Sequence, residues 1–423
     1  MSQTEPDNGW SEMLAGCKRT LARPLADYYL VLAAAAALIG LGLFMVVSAS
    51  SVISMVEEGS PYAVGLTQIR NALIGLPMIW LFSRMPQRLG ILLGWGALAV
   101  ALVTLTLVIL PGTGGMSHAD HTAWLSIGPV SMQPSEFAKP ALALWSAALF
   151  SQPARFRQLD QTKPLLIPYL PIAAIVLGLV LAERDLGTAL VVGLIIVLQL
   201  WHVGAPGKIM AAVIVPVIAA AAGLVALSDV HRVRVHDFVA NLFPSLGWSL
   251  QSGSDQPQNA IYALATGGWW GSGLGASRQK WGGLYDGAHN DYILAVMGEE
   301  LGLFGILLVL GLMFTVIHTA FKIARRSTSP FWRLTASGVA GWLLVQTTIN
   351  TLMAFGWLPV IGVPFPLVSY GGSALWAGFI GIGLLLAAAR HEPAAQEAIE
   401  AARQRRRERR RTGLVVAKRG RTK

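Results

Sequence analysis

The sequence predicts an all-α polytopic integral membrane protein of ten transmembrane helices, with a long extracytoplasmic loop between helices seven and eight. Three observations predict it. More than half of the 423 residues are apolar and only 13% are charged. Runs of about twenty apolar residues, long enough to cross a bilayer, recur along the chain. Basic residues collect in alternate connections between those runs. This composition excludes a soluble fold.

The apolar runs fall at about 28–50, 66–84, 88–110, 135–151, 164–182, 186–202, 207–227, 291–322, 331–357 and 371–390. Ahead of the first lies a polar segment with Lys18, Arg19 and Arg23. It has no short apolar core followed by a small-residue cleavage site, so the run from Tyr28 to Ser48 is expected to remain as an anchor. Ten crossings place both termini on one side. Arg84 and Arg88, then Arg155, Arg157 and Lys163, then Lys208, then Lys322, Arg325, Arg326 and Arg333 occupy alternate connections, which the positive-inside rule makes cytoplasmic. The opposite connections are 51–65, 111–134, 183–185, 228–290 and 358–370, and the first, second and last of these contain no Lys or Arg.

The chain therefore divides into a cytoplasmic N-terminal segment (1–27), a membrane domain (28–390, with the outer loop 228–290) and a basic, disordered cytoplasmic tail (391–423). The formal net charge of +10 resides in that tail, where eleven Lys and Arg face the single acid Glu408 between Arg403 and Lys423. A run of this kind is expected to touch anionic lipid rather than nucleic acid. Cys17 is the only cysteine, which excludes an internal disulfide and a cysteine-based metal or redox centre.

Ionisable groups near membrane spans are costly, and three places on the outer side carry them. In Gln133-Pro134-Ser135-Glu136-Phe137-Ala138-Lys139, Ser135 suits an N-cap, and Glu136 and Lys139 share a helical face. That pair reads equally as a structural ion pair or as a substrate contact. In the hairpin Glu183-Arg184-Asp185, Asp185 reads equally as the N-cap of helix six or as a functional acid. At His289-Asn290-Asp291 an acid meets the membrane boundary after a loop with Trp269, Trp270, Arg278, Lys280 and Trp281, a composition suited to gripping a sugar and a phosphate. Glu299 and Glu300 lie more than two turns deeper on other faces and are expected to be structural. Helices four, six, eight and ten all begin on the outer side. If their ends converge at Ser135, Asp185, Asp291 and Ser373, the free N–H groups there suit a pyrophosphate.

These segments, with Met45 to Ser50, Asp185-Leu186-Gly187-Thr188, Gly267-Gly268 with Gly273-Leu274-Gly275, Gly298-Glu299-Glu300-Leu301-Gly302 and Pro359 to Ser373, together resemble the SEDS family of peptidoglycan polymerases (FtsW/RodA) over nearly the whole chain. The Met45 to Ser50 segment looks more like the FtsW branch. The resemblance implies ten spans and a glycosyltransferase that polymerises lipid II during cell division. It implies a class B penicillin-binding protein and other divisome membrane proteins as partners, and a place in the bacterial cytoplasmic membrane at the septum. It puts the essential acid on Asp291 and an outer-loop tryptophan on Trp124. The expected substrate contacts are then Trp124, Glu136, Lys139, Arg184, Asp185, Arg278, Lys280, His289 and Ser369, with a divalent cation (Mg or Mn) as an optional companion of the leaving pyrophosphate. Ala123 stands where the family usually has a basic residue, Asn259 where Gln is common, and 228–258 lacks the Asp-Pro and Gly-Tyr-Gln signatures. Two other readings stay open at this point, a lipid II flippase and a noncatalytic divisome scaffold.

Overall fold

A computed structural model describes residues 23–110, 115–118, 121–127, 130–152, 162–243, 256–285 and 287–405. The connection 153–161 and the arginine run from 406 onward, both used in the sequence reading, lie outside the described residues.

A helix stands at each of the ten apolar runs: α1 (Ala26–Glu58), α2 (Ala63–Ser83), α3 (Gln87–Ile109), α4 (Pro134–Phe150), α5 (Thr162–Ala182), α6 (Leu186–Val203), α7 (Gly207–Leu227), α10 (Ile293–Arg326), α11 (Pro330–Ala354) and α12 (Gly372–Arg390). Among the described residues, six of them (α1, α3, α6, α7, α10 and α12) are long and apolar enough to cross a membrane. Their boundaries follow local chemistry. Pro134 and Pro330 open α4 and α11 at a position where a missing N–H costs nothing. Gly59 and Gly204 close α1 and α6 in the left-handed conformation, with φ of 70° and 78°.

Helix α4 is the axis of the bundle: every residue except Phe137 is buried. Helix α7 has no buried residue at all, so its apolar surface faces outward. Helices α1 and α10 run antiparallel and are tied at both ends. Asp27 pairs with Lys322 at 2.7 Å and Arg326 at 3.1 Å, while the Ser48 hydroxyl donates to the Glu300 carboxylate at 2.7–2.8 Å.

Four features depart from the sequence reading. The connection before α4 is not all loop in an all-α chain: it folds into an antiparallel sheet of β1 (Gly115–His118), β2 (His121–Ile127) and β3 (Val130–Met132), with Trp124 opposite Met116 and Leu125 opposite Met132. The long outer loop contains two helices, α8 (Asp229–Leu242) and α9 (Gln256–Gly267). Residues 393–405, assigned to a disordered tail, are helical. An alanine-rich stretch that begins with Pro393 and buries Ala395 completely has both the propensity and a surface to pack on.

The fourth departure is that helix eight is not continuous. Gly302 sits at φ 71° and ψ −168° inside α10. The freed backbone groups are satisfied by the outer loop: Ser272 and Gly273 donate to the carbonyls of Glu299 and Glu300 at 2.8 and 3.1 Å, and Leu303 and Phe304 donate to those of Gly268 and Trp269 at 2.9 and 3.4 Å. A broken helix survives in this setting only where protein replaces the lost partners. The segment from Leu303 to Arg326 is by itself on the order of 35 Å long, sufficient for a bilayer core without the short stretch that carries Glu299 and Glu300.

Candidate active site

The segments that lead into α4, α10 and α12 meet around one cavity of about 220 Å³, and Trp124, Gln133, Asp291, Tyr370 and Ser373 lie on its wall. Strand β2 alternates, with Ala123 and Leu125 buried below and Trp124 turned to the cavity. Gln133 is the junction: its N–H donates to Ser373 Oγ at 2.9 Å and its side-chain amide to Asp185 Oδ2 at 3.1 Å. It thus joins the start of α4 to the starts of α12 and α6. Asp185 caps α6, accepting from the Thr188 N–H at 2.9 Å and its hydroxyl at 2.7 Å. Ser135 is not a cap. Pro134 takes the first helical position and Gln133 the cap position, which carries Ser135 into the buried first turn.

Asp291 lies in the turn before α10, and its backbone is clamped from three sides. The Tyr370 N–H donates to the His289 carbonyl at 2.9 Å, the Ser369 hydroxyl to that of Asn290 at 2.7 Å, and the Asn350 amide to that of Asp291 at 2.9 Å. Asn350 also donates to the Val363 carbonyl at 2.7 Å, and Gln346, one turn earlier on the same face of α11, donates to that of Pro364 at 2.9 Å. The 359–370 connection and the 289–291 turn are therefore one rigid unit. Burial pushes the Asp291 carboxyl up to about 6; the Arg234 cation on α8 pulls it down and the Asp185 anion adds to the rise. Burial lowers His289 to about 4, so it is neutral near pH 7, packed edge-on against Tyr370. Glu183 is fully buried and is pushed up to about 9 by burial and by the Asp185 anion, against the Ser135 hydroxyl, which pulls it down.

Of the residues expected from sequence, Asp291 and Trp124 both line the cavity, and Asp185, His289 and Ser369 bond to the segments that form it. Glu136 and Lys139 form a buried pair at 2.7 Å, with Lys139 also donating to Gln346 at 3.1 Å; neither lines the cavity. Arg184 sits exposed at the hairpin tip with φ 60°. Arg278 and Lys280 are not brought to Asp291. The Arg278 N–H donates to Glu299 at 2.9 Å, and Lys280 is buried in an ion pair with Glu300 at 3.0 Å. The two glutamates are structural, as expected, and they consume the loop cation that composition had offered to a phosphate. Gln133, Asn350, Tyr370 and Arg234 were missed. Asn350 had a signal, since Gln346, Thr347 and Asn350 interrupt an apolar span. Among the described residues no group of three His, Cys, Asp or Glu is placed to hold a metal ion, so Asp291 offers a divalent cation a single carboxylate rather than a finished ligand set.

Comparison with known proteins gives the same picture from outside. The family model for cell cycle proteins of the FtsW, RodA and SpoVE type matches residues 28–394. The "Probable peptidoglycan glycosyltransferase FtsW" of Mycobacterium tuberculosis strain H37Rv is 38% identical over 383 residues, covering 90% of this chain and 71% of that one. The protein of the same name from Bacillus subtilis strain 168 is 30% identical over 362 residues, covering 82% and 87%. Among solved structures, a chain of a peptidoglycan synthase complex that coordinates polymerization and crosslinking aligns with a TM-score of 0.65 at 26% identity, over 86% of this chain and 97% of its own. The rod shape determining protein RodA of Thermus thermophilus aligns with a TM-score of 0.61 at 26% identity, over 88% and 98%. The motifs that run from α1 to α12 and the shared fold have one explanation: this chain belongs to the FtsW/RodA/SpoVE family of cell cycle proteins.

Proposed function

We propose that this chain is a peptidoglycan glycosyltransferase that polymerises lipid II at the outer face of the bacterial cytoplasmic membrane during division, with Asp291 as general base. The observation that supports the reading is Asp291, the one acid among the described residues that line the cavity, with its turn bonded by Tyr370, Ser369 and Asn350. The relatives named peptidoglycan glycosyltransferase FtsW supply the reaction class.

In the reaction, the 4-hydroxyl of an acceptor GlcNAc attacks the anomeric carbon of a lipid-linked MurNAc from the side opposite the pyrophosphate. The new C–O bond forms as the bond to the pyrophosphate breaks, and the electron pair leaves with undecaprenyl pyrophosphate. Asp291 takes the hydroxyl proton, a role worth roughly a hundred- to ten-thousand-fold in rate. The pyrophosphate needs charge neutralisation rather than a proton. The starts of α4 and α12, with Arg234, supply positive potential, while the start of α6 is already taken by Asp185, and a divalent cation carried with the substrate would add to it.

The topology belongs to the same proposal: ten crossings, both termini cytoplasmic, a membrane domain over 28–390, and the 228–290 segment outside. A class B penicillin-binding protein and other divisome components are the proposed partners, the first supported by the resemblance of this chain to a member of a peptidoglycan synthase complex. The test is polymerisation of lipid II by the purified full chain, with and without a class B penicillin-binding protein. Asp291→Asn is expected to abolish glycan chains while leaving the protein monodisperse; near-normal chains from that variant would remove Asp291 as the base. A flippase would move lipid II across vesicles without polymerising it, and a scaffold would do neither.

A further inference from the structure

At the end of α10 away from Asp291, the ends of α6, α10 and α11 line a second cavity of about 270 Å³. Phe321, Ala324 and Leu334 supply the apolar part of its lining, and Arg325, Arg333, His202 and Ser337 the polar part. Both arginines extend to the surface, one from the end of α10 and one from the start of α11. They occupy one of the connections that the distribution of basic residues places on the cytoplasmic side.

The two other polar groups are oriented by their own helices. His202 Nδ1 lies 2.6 Å from the Leu198 carbonyl, which accepts its proton, and in that tautomer Nε2 is an acceptor. The ring is stacked on Phe321, with centroids 5.9 Å apart, which fixes its plane. Ser337 donates to the Leu334 carbonyl at 3.1 Å, leaving its oxygen as an acceptor too. The cavity thus combines two guanidinium groups, acceptors for hydroxyl groups, and apolar side chains. Guanidinium pairs match a phosphodiester, and hydroxyl acceptors match an uncharged hydroxylated headgroup.

We propose that this cavity binds the headgroup of an anionic phospholipid of the phosphatidylglycerol type from the cytoplasmic leaflet, with the phosphate between Arg325 and Arg333 and a glycerol hydroxyl donating to His202. A lipid is chosen over a free anion because most of the lining is apolar and the cavity sits at helix ends, where the first acyl carbons would lie. A free phosphate has no use for Phe321 and Leu334. Basic pockets between helices on the cytoplasmic side recognise lipid headgroups by the same chemistry.

The experiment uses the full chain purified in mild detergent, with bound lipid counted by native mass spectrometry after addition of dioleoyl phosphatidylglycerol, dioleoyl phosphatidylcholine or inorganic phosphate. Phosphatidylglycerol is expected to be retained at least tenfold better than phosphatidylcholine, and the double variant Arg325→Gln with Arg333→Gln is expected to lose at least tenfold in that retention. Arg84→Gln, at another cytoplasmic-side arginine, should leave it unchanged. Inorganic phosphate should not displace the lipid. Equal retention in the double variant overturns the proposal, as does displacement by phosphate, which would mark a free-anion site. Lipid II polymerisation by the variants in phosphatidylcholine reports that the bundle is intact. If the double variant does not fold, Arg325→Gln alone carries the test, with a loss of several-fold expected.

Discussion

At the scale of residues, the site is an acid whose surroundings decide its chemistry. A carboxyl held near 6 is mostly ionised at pH 7 yet more basic than an ordinary aspartate, which suits a group that must take a proton from a hydroxyl. The polymerisation rate should therefore fall about tenfold per pH unit below roughly 6, measured as initial rate against pH; a profile flat down to pH 5 would exclude Asp291 as the titrating base. Stability moves the other way. The folded state holds this proton more tightly than an unfolded aspartate does, so the contribution of Asp291 to stability is present below about pH 4 and is lost as pH rises through 6. A second prediction concerns Asn350, which touches no open part of the cavity but donates to both the Asp291 and Val363 carbonyls. Asn350→Ala leaves two carbonyls unserved and lets the acid drift, so kcat should drop about ten- to a hundredfold with thermal stability lowered by about 1–3 kcal/mol. The sequence singled out Asp291 because an acid at a membrane boundary needs a reason, whereas Trp124 was indicated only by the family resemblance, since tryptophan at such a boundary is ordinary. It could not expose Gln133 or Arg234, whose roles arise from partners distant along the chain, and it misread Lys280, because composition counts a cation without showing that Glu300 has already paired with it.

At the scale of elements, the apolar runs were legible because a bilayer demands about twenty such residues in a row, and no tertiary partner is needed to read that. The break in α10 was not. A single glycine within an apolar pattern is commonplace, and only the segment around Gly268 to Gly273 makes the break at Gly302 affordable. The small sheet and helices α8 and α9 were hidden for a similar reason: short polar elements carry weak periodicity and depend on what they pack against. Gly302→Ala tests the break directly. With φ at 71° and the Gly271 and Trp269 backbone against any added Cβ, the variant should lose roughly 1–3 kcal/mol in thermal or denaturant unfolding. Gly311→Ala, in the same helix with open space around it, should be neutral or slightly stabilising. If both substitutions cost the same, the loop is not built into the helix.

At the scale of the molecule, charge and hydropathy set the orientation while packing sets the site. The sole cysteine, Cys17, is a ready reference for the proposed topology. In intact cells a membrane-impermeant maleimide should label Leu274→Cys in a Cys17→Ser background and leave Cys17 of the parent chain untouched until the membrane is opened. Labelling in the reverse order would place the Asp291 cavity inside the cell and end the lipid II reading. The bundle is organised around α4, buried nearly throughout, with α7 at the periphery, and α1 and α10 are fastened at both ends by Asp27 and Ser48. That framework holds the starts of α4, α6, α10 and α12 at one place, which is why residues scattered from Trp124 to Ser373 share a wall.

The splice at Gly302 has a mechanical corollary. Trp269 and Trp270 are exposed and rest on Phe304, and the strand of chain bearing them stands in for a missing turn of the same rod that begins just after Asp291. Anything that grips those two indoles has hold of a handle: a tug on them is felt at the acid through main-chain bonds, with no soft linker between to absorb it.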